Sequence, residues 1–264
     1  MPSLENGLVV RNVQLSRDLY EMEFIAPNMA GECQPGQFVH VKVGSEDSPL
    51  LRRPLSLYDV DHHLGSVILL YKVVGKGTAL LSQLQAKNYV DVMGPLGRGF
   101  TLPNEKRNVL LVGGGVGIAP LVYLARELKE RECNVKVVHG TQTRADLVAG
   151  ERLGKIGVDF LPATMDGSAG CKGLVTDLLN KKVDPGWVDI LYTCGPELMM
   201  AAVAEYARRH QIRGQVSLEE KMACGVGACL GCARQAKSND AHYVKVCKEG
   251  PVFDLNDVSW EQSN

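Results

Sequence analysis

Four cysteines near the C-terminus constrain this chain more than any other feature of its sequence. Four residues separate Cys224 from Cys229, two residues separate Cys229 from Cys232, and a fourth cysteine follows at Cys247. This is the plant-type spacing for a [2Fe–2S] cluster, in which four thiolates hold two irons. Three glycines within the run suit a backbone that must fold tightly around an inorganic core. The spacing therefore predicts a redox centre that carries one electron at a time.

A structural zinc site is the alternative interpretation of these cysteines. Zinc sites usually contain two C-x₂-C pairs, or one such pair with histidines. The segment has a single tight pair, Cys229 and Cys232, and Cys224 lies too far upstream to form a second. We therefore favour the iron–sulfur interpretation.

Length and composition limit what else the chain can be. Its 264 residues are enough for two or three domains, and a net charge of −1 gives no basis for binding nucleic acid or an anionic membrane. Residues 109–125 carry no charge, but their glycines and Pro120 predict a strand, a turn and a helix rather than a membrane span. The N-terminus lacks the basic start and apolar run of a signal peptide, so we expect a cytoplasmic protein.

Residues 1–103 have the pattern of an antiparallel β-barrel. Apolar residues alternate with polar ones along residues 20–24 and 39–43, which predicts strands with one face toward solvent. In this interpretation Glu21 and His40 lie on the solvent face. Prolines and glycines punctuate these short strands, as in barrels and sandwiches.

Residues 104–215 have the pattern of a doubly wound parallel sheet, because apolar runs alternate with segments of helical periodicity. The runs that predict strands cover residues 109–112, 135–138 and 188–192, and helices are expected at 174–179 and 198–208. From residue 216 to residue 264 the periodicity fades, and the cluster should supply much of the stability of this small region. The predicted fold is α+β with three domains: an antiparallel β-barrel, a doubly wound parallel α/β nucleotide domain, and a small C-terminal [2Fe–2S] domain.

Two segments of the barrel region have the chemistry of a phosphate site. Arg53-Pro54-Leu55-Ser56 offers an arginine that can grip a pyrophosphate, although a basic loop closing a strand is an equally good interpretation of these residues alone. The second segment, residues 72–78, ends a strand in glycines and opens a predicted helix over 78–84, whose N-terminus would favour phosphate.

Two segments of the nucleotide region predict a dinucleotide site. Gly113-Gly-Gly-Val-Gly117 lies between a strand and a helix, the context in which glycine turns bind dinucleotide phosphates. Cys194-Gly195-Pro196 closes a later strand, and ligands bind at such carboxyl ends. No acidic residue follows the next strand at His139-Gly140, where an NAD ribose would be bound. Arg144 is a candidate for a 2′-phosphate contact, so NAD and NADP both remain open.

The order of these motifs resembles that of the ferredoxin–NADP reductase superfamily of flavoproteins. The motifs that carry the resemblance are Arg53-Pro-Leu-Ser56, Gly113-Gly-Gly-Val-Gly-Ile-Ala-Pro120 and Cys194-Gly-Pro196. Met222-Ala-Cys-Gly-Val-Gly-Ala-Cys-Leu-Gly-Cys232 and Val246-Cys-Lys-Glu-Gly-Pro-Val-Phe253 narrow it to the electron-transfer subunits of NAD-linked, two-subunit dihydroorotate dehydrogenases.

The resemblance implies a set of cofactor-binding residues. It implies that FAD is held by Arg53, Pro54, Leu55, Ser56, Leu70, Tyr71, Lys72, Gly77 and Thr78. The nicotinamide dinucleotide would be framed by Gly113, Gly114, Gly115, Gly117, Cys194, Gly195 and Pro196. The cluster would be ligated by Cys224, Cys229, Cys232 and Cys247. Related reductases have a tyrosine that stacks on the flavin where this chain has Leu55, so that role does not carry over.

The resemblance also implies a function and a partner. A catalytic subunit carrying FMN would oxidise dihydroorotate, and this chain would pass the electrons through the cluster and FAD to NAD⁺, with two copies of each chain in the assembly. One alternative is a reductase component that takes electrons from NAD(P)H to another acceptor. A redox sensor is a third hypothesis, although the chain has no charge pattern for binding nucleic acid.

Overall fold

The computed structural model describes residues 2–44, 49–237 and 242–260, which form a closed barrel, a seven-stranded sheet and a small hairpin. No helix within these residues is long and apolar enough to cross a membrane.

Six antiparallel strands close the barrel in the order β1-β2-β5-β4-β3-β6. They are β1 (Ser3–Gln14), β2 (Leu19–Ile25), β3 (Phe38–Val41), β4 (Arg53–Asp61), β5 (Ser66–Lys72) and β6 (Tyr89–Leu96), with short helices α1 (Pro27–Ala30) and α2 (Lys76–Leu81) between strands. Met22, Phe24 and Val39 are fully buried inside the barrel, as their period-two spacing predicts. Helix α2 begins two residues before, and ends three residues before, the predicted bounds.

Two side chains that were predicted to face solvent are buried instead. Glu21 is 6% exposed because Arg11 and Arg152 form ion pairs with it, at 2.5 and 3.2 Å. His40 is completely buried because residues of the C-terminal region cover the outside of β3. The period-two pattern correctly predicted which residues share a face of each strand. It was wrong in predicting that solvent covers the face that carries Glu21 and His40.

The seven-stranded sheet has the order β10-β9-β8-β7-β11-β12-β15 and is parallel except for its last pair. Its strands are β7 (Asn108–Gly114), β8 (Asn134–Thr141), β9 (Asp159–Thr164), β10 (Cys171–Lys172), β11 (Ile190–Cys194), β12 (Arg213–Ser217) and β15 (Val252–Asp254). Its helices are α3 (Ala119–Glu130), α4 (Gly150–Ile156), α5 (Val175–Lys182) and α6 (Glu197–Arg209). The predicted doubly wound sheet is confirmed, and Pro120 lies in the first turn of α3 as expected.

The C-terminal region adds a two-stranded hairpin, β13 (Ala233–Gln235) and β14 (Tyr243–Lys245), and also supplies β15 to the edge of the large sheet. Cys232, Val246 and Cys247 are buried in the same apolar cluster as Phe38 and Leu96 of the barrel. The cysteine segment therefore packs against both the barrel and the sheet.

Candidate functional site

The flavin-type motif opens strand β4, where Arg53, Pro54, Leu55 and Ser56 pair with residues 41 to 38 of β3. All four residues are half-buried. The preceding Arg52 forms an ion pair with Asp91 at 2.8 Å, whereas Arg53 has no acidic partner among the described residues. Nη1 of Arg53 donates to the carbonyl oxygens of Leu51 and Arg52, but its positive charge is not neutralised by a carboxylate among the described residues. Of these two arginines, Arg53 is therefore the one that can bind an anion.

Gly77 and Thr78 at the start of α2 lie against this arginine. A Cβ at Gly77 would be 2.5–2.8 Å from the Arg53 guanidinium, so the arginine packs directly on the glycine backbone. The Thr78 hydroxyl accepts hydrogen bonds from the backbone N–H of Val74 (2.9 Å) and Gly75 (3.3 Å), which fixes the turn before the helix. The structure thus brings Arg53, Gly77 and Thr78 together, and this donor set fits a pyrophosphate.

Leu70, Tyr71 and Lys72 at the end of β5 point in different directions. Leu70 is buried in the apolar cluster between the barrel and α3. Tyr71 is buried in the barrel interior, where its hydroxyl donates to Oδ1 of Asn12 at 2.9 Å, so a contact with an outside ligand would use its backbone. Lys72 is exposed, forms an ion pair with Asp18 at 3.1 Å, and lines the cleft between barrel and sheet.

That cleft has a volume of about 670 Å³ and lies at the carboxyl ends of β7, β8 and β11. Gly114, Gly115 and Gly117 line it at the end of β7, and Gly195 and Pro196 line it at the end of β11. Gly113 and Cys194 pair with each other in the sheet beneath and do not line the cleft. Burial raises the pKa of the Cys194 thiol, so this cysteine is a neutral packing residue.

The two glycine turns of the cleft touch. A Cβ at Gly117 would be 2.5 Å from Cα of Gly195, and a Cβ at Gly114 would be 2.7 Å from Cδ of Pro196. Gly115 has φ +53 and Gly195 has φ +152, a backbone region that favours glycine. Each turn therefore requires glycine for a steric reason, and together they form one wall against which a dinucleotide can lie.

Besides Asp18, the ion-pair partner of Lys72, two acidic residues that the sequence analysis did not identify also line this cleft. Asp146 follows β8, and its carboxylate accepts hydrogen bonds from the backbone N–H (3.2 Å) and hydroxyl (3.0 Å) of Thr143. Glu219 follows β12, and desolvation raises the pKa of its carboxyl. Arg144, the candidate for a 2′-phosphate contact, is not among the residues that line the cleft.

All four predicted cluster sulfurs lie in one loop region and accept backbone hydrogen bonds. Sγ of Cys224 accepts from Ala228 and Cys229, and the other three sulfurs each accept one N–H, at distances of 3.1–3.4 Å. Burial raises the pKa of the Cys224 thiol, but backbone N–H groups outweigh this effect and bring it to about 6. Desolvation and the neighbouring Cys232 raise the pKa of the Cys247 thiol to about 12, so the lowered pKa belongs to Cys224 and not to all four thiols. Each of the four sulfurs nevertheless accepts at least one backbone N–H, and these residues fit an iron–sulfur cluster.

Cys224 interacts with Cys229, and Cys247 interacts with both Cys232 and Cys224. Among the described residues, no group of three or more His, Cys, Asp or Glu side chains is arranged to hold a metal ion. What indicates a centre with two irons is the spacing of the four cysteines, together with the backbone N–H groups that hydrogen-bond to their sulfurs.

Models of three known domain families match successive parts of the chain. A model of the oxidoreductase FAD-binding domain matches residues 6–100, and a model of the oxidoreductase NAD-binding domain matches residues 111–205. The iron–sulfur cluster binding domain of dihydroorotate dehydrogenase B matches residues 219–259, which include the four cysteines.

Similar proteins extend over the full chain. The dihydroorotate dehydrogenase B (NAD(+)) electron transfer subunit of Desulforamulus reducens is 40% identical over 262 residues, which cover 99% of this chain and 100% of that protein. The corresponding subunit of Geobacillus thermodenitrificans is 42% identical, over 96% of this chain and 98% of its own length. The chain belongs to this family of electron-transfer subunits. It is an oxidoreductase component with FAD-, NAD- and iron–sulfur-binding domains, as the sequence predicted.

Solved structures place the family within a wider fold. An NADH-dependent reduced ferredoxin–NADP oxidoreductase, studied for flavin-based electron bifurcation, is 34% identical with a TM-score of 0.87, over 97% of this chain and 90% of that one. The Amycolatopsis cytochrome P450 reductase is 25% identical with a TM-score of 0.68, over 80% and 67% of the two chains. The dihydroorotate dehydrogenase B electron-transfer subunits therefore share the ferredoxin–NADP reductase fold, which confirms the predicted architecture.

Proposed function

We propose that this chain transfers electrons from a dihydroorotate dehydrogenase catalytic subunit to NAD⁺ through a [2Fe–2S] cluster and FAD. The observation that carries the proposal is that all four cysteine sulfurs accept hydrogen bonds from backbone N–H groups. Two further observations support it: Arg53 packs on Gly77, and two glycine turns line a cleft at the carboxyl ends of the sheet strands. Oxidation of dihydroorotate to orotate releases two electrons and two protons. NAD⁺ takes up both electrons and one proton to form NADH, and the second proton goes to solvent.

The residues of this chain have separate tasks in that scheme. When bound, the cluster supplies one-electron chemistry and the flavin exchanges one-electron for two-electron chemistry. Arg53 and the backbone at Gly77 would hold the flavin pyrophosphate, and the turns at Gly117 and Gly195 would hold the dinucleotide. Lys72 lies at the barrel edge of the cleft, where the flavin and nicotinamide sites would meet.

The partner would dock where the cluster loop reaches the surface. Cys229 is exposed, and its neighbours Val226 and Leu230 are 46% and 63% exposed, so the loop presents apolar side chains to solvent. We propose that an FMN-containing catalytic subunit binds this face, with two copies of each chain in the complex.

The docking face is tested by Leu230→Glu, which places a charge on it. We expect at least tenfold weaker binding of the catalytic subunit, measured by analytical ultracentrifugation. The matched control is Leu64→Glu, because Leu64 is 69% exposed in the turn at the far end of β4. Equal binding by Leu230→Glu and wild type would rule out this face.

Asp146 favours NAD over NADP as the acceptor. Its carboxylate lines the cleft beyond β8 and can accept hydrogen bonds from ribose hydroxyls, whereas it would repel a 2′-phosphate. Asp146→Asn should raise the NADPH-to-NADH ratio of kcat/KM by about tenfold in dye reduction, since one like-charge contact is removed. Glu151→Gln, which removes an equal charge from an exposed site on α4, should leave the ratio unchanged.

The function itself is tested by reconstitution. The isolated chain should contain iron, acid-labile sulfide and flavin and should reduce dyes with NADH, yet should not form NADH from dihydroorotate until the catalytic subunit is added. Robust dihydroorotate-dependent NADH formation by the chain alone would contradict the proposal.

A second candidate is a reductase that serves another acceptor. It is favoured by the likeness over 97% of the chain to an NADH-dependent reduced ferredoxin–NADP oxidoreductase. Failure of the catalytic subunit to bind, together with rapid NADH-dependent reduction of ferredoxin, would support this candidate.

A further inference from the structure

His40 is a buried histidine that the functions described above do not use. Its side chain has no exposed surface, and neither Nδ1 nor Nε2 has a hydrogen-bond partner among the described residues. A buried donor or acceptor without a hydrogen-bond partner destabilises the folded chain. The two nitrogens of His40, unpartnered within the described part of the chain, therefore indicate that its imidazole has a role other than packing.

His40 lies between the flavin-type motif, which its backbone contacts, and the cluster loop, which its imidazole contacts. On one side, His40 pairs with Pro54 of strand β4, and Arg52 donates to its carbonyl oxygen at 3.4 Å. On the other side is Gly225, the residue that follows Cys224, where a Cβ would lie 2.7 Å from Nδ1 of His40. Gly225 also has φ +71, so the loop is built to pass directly over the ring.

The charge state of the ring follows from its surroundings. Burial, with Arg52 and Arg53 adding to it, lowers the pKa of His40 to about 4. The imidazole is therefore neutral at pH 7 and presents one N–H donor and one lone pair. The edge of Phe38, 6.2 Å away between ring centroids, closes another side with apolar atoms.

We propose that His40 is a positioning residue that donates an N–H hydrogen bond to a sulfur of the cluster held at Cys224. The bond would tie the cluster loop to the strand pair that carries Arg53. The sulfurs of such a cluster are acceptors, and N–H bonds to them stabilise the reduced, more negative state and so raise the reduction potential. This inference rests on the proposed function, because it requires that the cluster be present.

Two measurements on the full chain, with FAD and cluster bound, test the role of His40. In protein labelled with ¹⁵N-histidine, pulsed EPR of the reduced cluster should detect a weakly coupled histidine nitrogen that is lost in His40→Leu. In an EPR-monitored redox titration, the cluster potential should become more negative in His40→Leu and partly recover in His40→Gln, which keeps an N–H donor. His139→Leu, at the other fully buried histidine, should retain both the nitrogen signal and the potential.

The possible results distinguish failure of the His40 proposal from failure of the proposed function. Absence of iron and sulfide from the wild-type chain would refute both proposals. A normal cluster with no histidine coupling in the wild type would refute only the role of His40, and that measurement stands even where His40→Leu fails to fold. An intact cluster of unchanged potential in His40→Leu would leave the histidine a packing residue and would likewise overturn the proposal.

Discussion

Replacing Gly117 with alanine tests whether the two glycine turns of the nucleotide cleft must touch. The new Cβ would lie 2.5 Å from Cα of Gly195 and 2.7 Å from the carbonyl oxygen of Cys194. Both neighbours are backbone atoms of a turn that is fixed to strand β11, so no side chain can rotate away to make room. One of the two turns has to move out of its native position.

The magnitude follows from the cost of overpacking. Forcing one methyl group into a closely packed site costs about 1–3 kcal/mol. If the turn relaxes outward to escape the clash, that energy must be supplied when the turn returns to its binding position. Because about 1.4 kcal/mol is a factor of ten, the dissociation constant for NAD should rise by about 5- to 150-fold.

Isothermal titration calorimetry with NAD⁺ measures this effect directly, and the KM for NADH in dye reduction should rise in parallel. FAD content should stay the same because the barrel is not altered. Gly154→Ala is the matched control, since a Cβ at that residue of α4 meets nothing within 4 Å. Its NAD affinity should equal that of wild type, and its melting temperature should be equal or higher. Wild-type affinity in Gly117→Ala would refute the argument that contact between the turns shapes the cleft.

Three further predictions concern the barrel and the buried charges. Arg53→Ala should weaken FAD binding by about tenfold or more through loss of charge-assisted hydrogen bonds, measured as flavin retained after dialysis, with Arg53→Lys intermediate. Arg152→Ala should lower the free energy of unfolding by about 1–3 kcal/mol, measured by calorimetry. This loss is smaller than for a fully buried ion pair, because Glu21 keeps Arg11 and Asp59 keeps Arg126 as a second partner; an unchanged melting temperature would contradict the prediction. Burial lowers the pKa of His139 to about 4, below its unfolded value of 6.5, so protonation favours the unfolded chain, and this histidine alone should lower stability by about 2 kcal/mol between pH 7.5 and 5 in denaturant titrations. His40, whose pKa burial also lowers to about 4, should add a similar amount, so His139→Phe should lose only its own part of the slope.

Local patterns in the sequence predicted the elements of the fold well. Strands β2, β7 and β8 and helices α5 and α6 were found because each is a run of residues whose periodicity reflects its own buried face. The same patterns could not reveal contacts between regions. The solvent face assigned to β2 and β3 is covered, at Glu21 by arginines from β1 and α4, and at His40 by the cluster loop.

The residues of the candidate site also form two groups: those that a local sequence pattern predicts, and those that only the tertiary fold brings to the site. The four cysteines were predicted as cluster ligands because three of them lie within nine residues, at the spacing typical of a [2Fe–2S] centre. Asp146 could not be identified, because β8 runs on to Thr141 and the acid follows five residues later in a short helix. Glu219 enters the cleft from a strand about eighty residues further along the chain, a proximity that only the sheet order produces.

The way in which the cysteine segment is anchored explains how a small region can take part in a fixed electron path. The cysteine segment contributes strand β15 to the edge of the large sheet. The carbonyl oxygen of Gly250 accepts a hydrogen bond at 2.6 Å from the backbone N–H of Arg98, just beyond the barrel. Arg234 joins it to Glu197 at the start of α6, next to the nucleotide turn. Gly225 packs on His40 beside the flavin-type motif. Because these contacts reach both the barrel and the sheet, the distances between the three cofactor sites are set by folding, so electron transfer within the chain needs no docking step of its own.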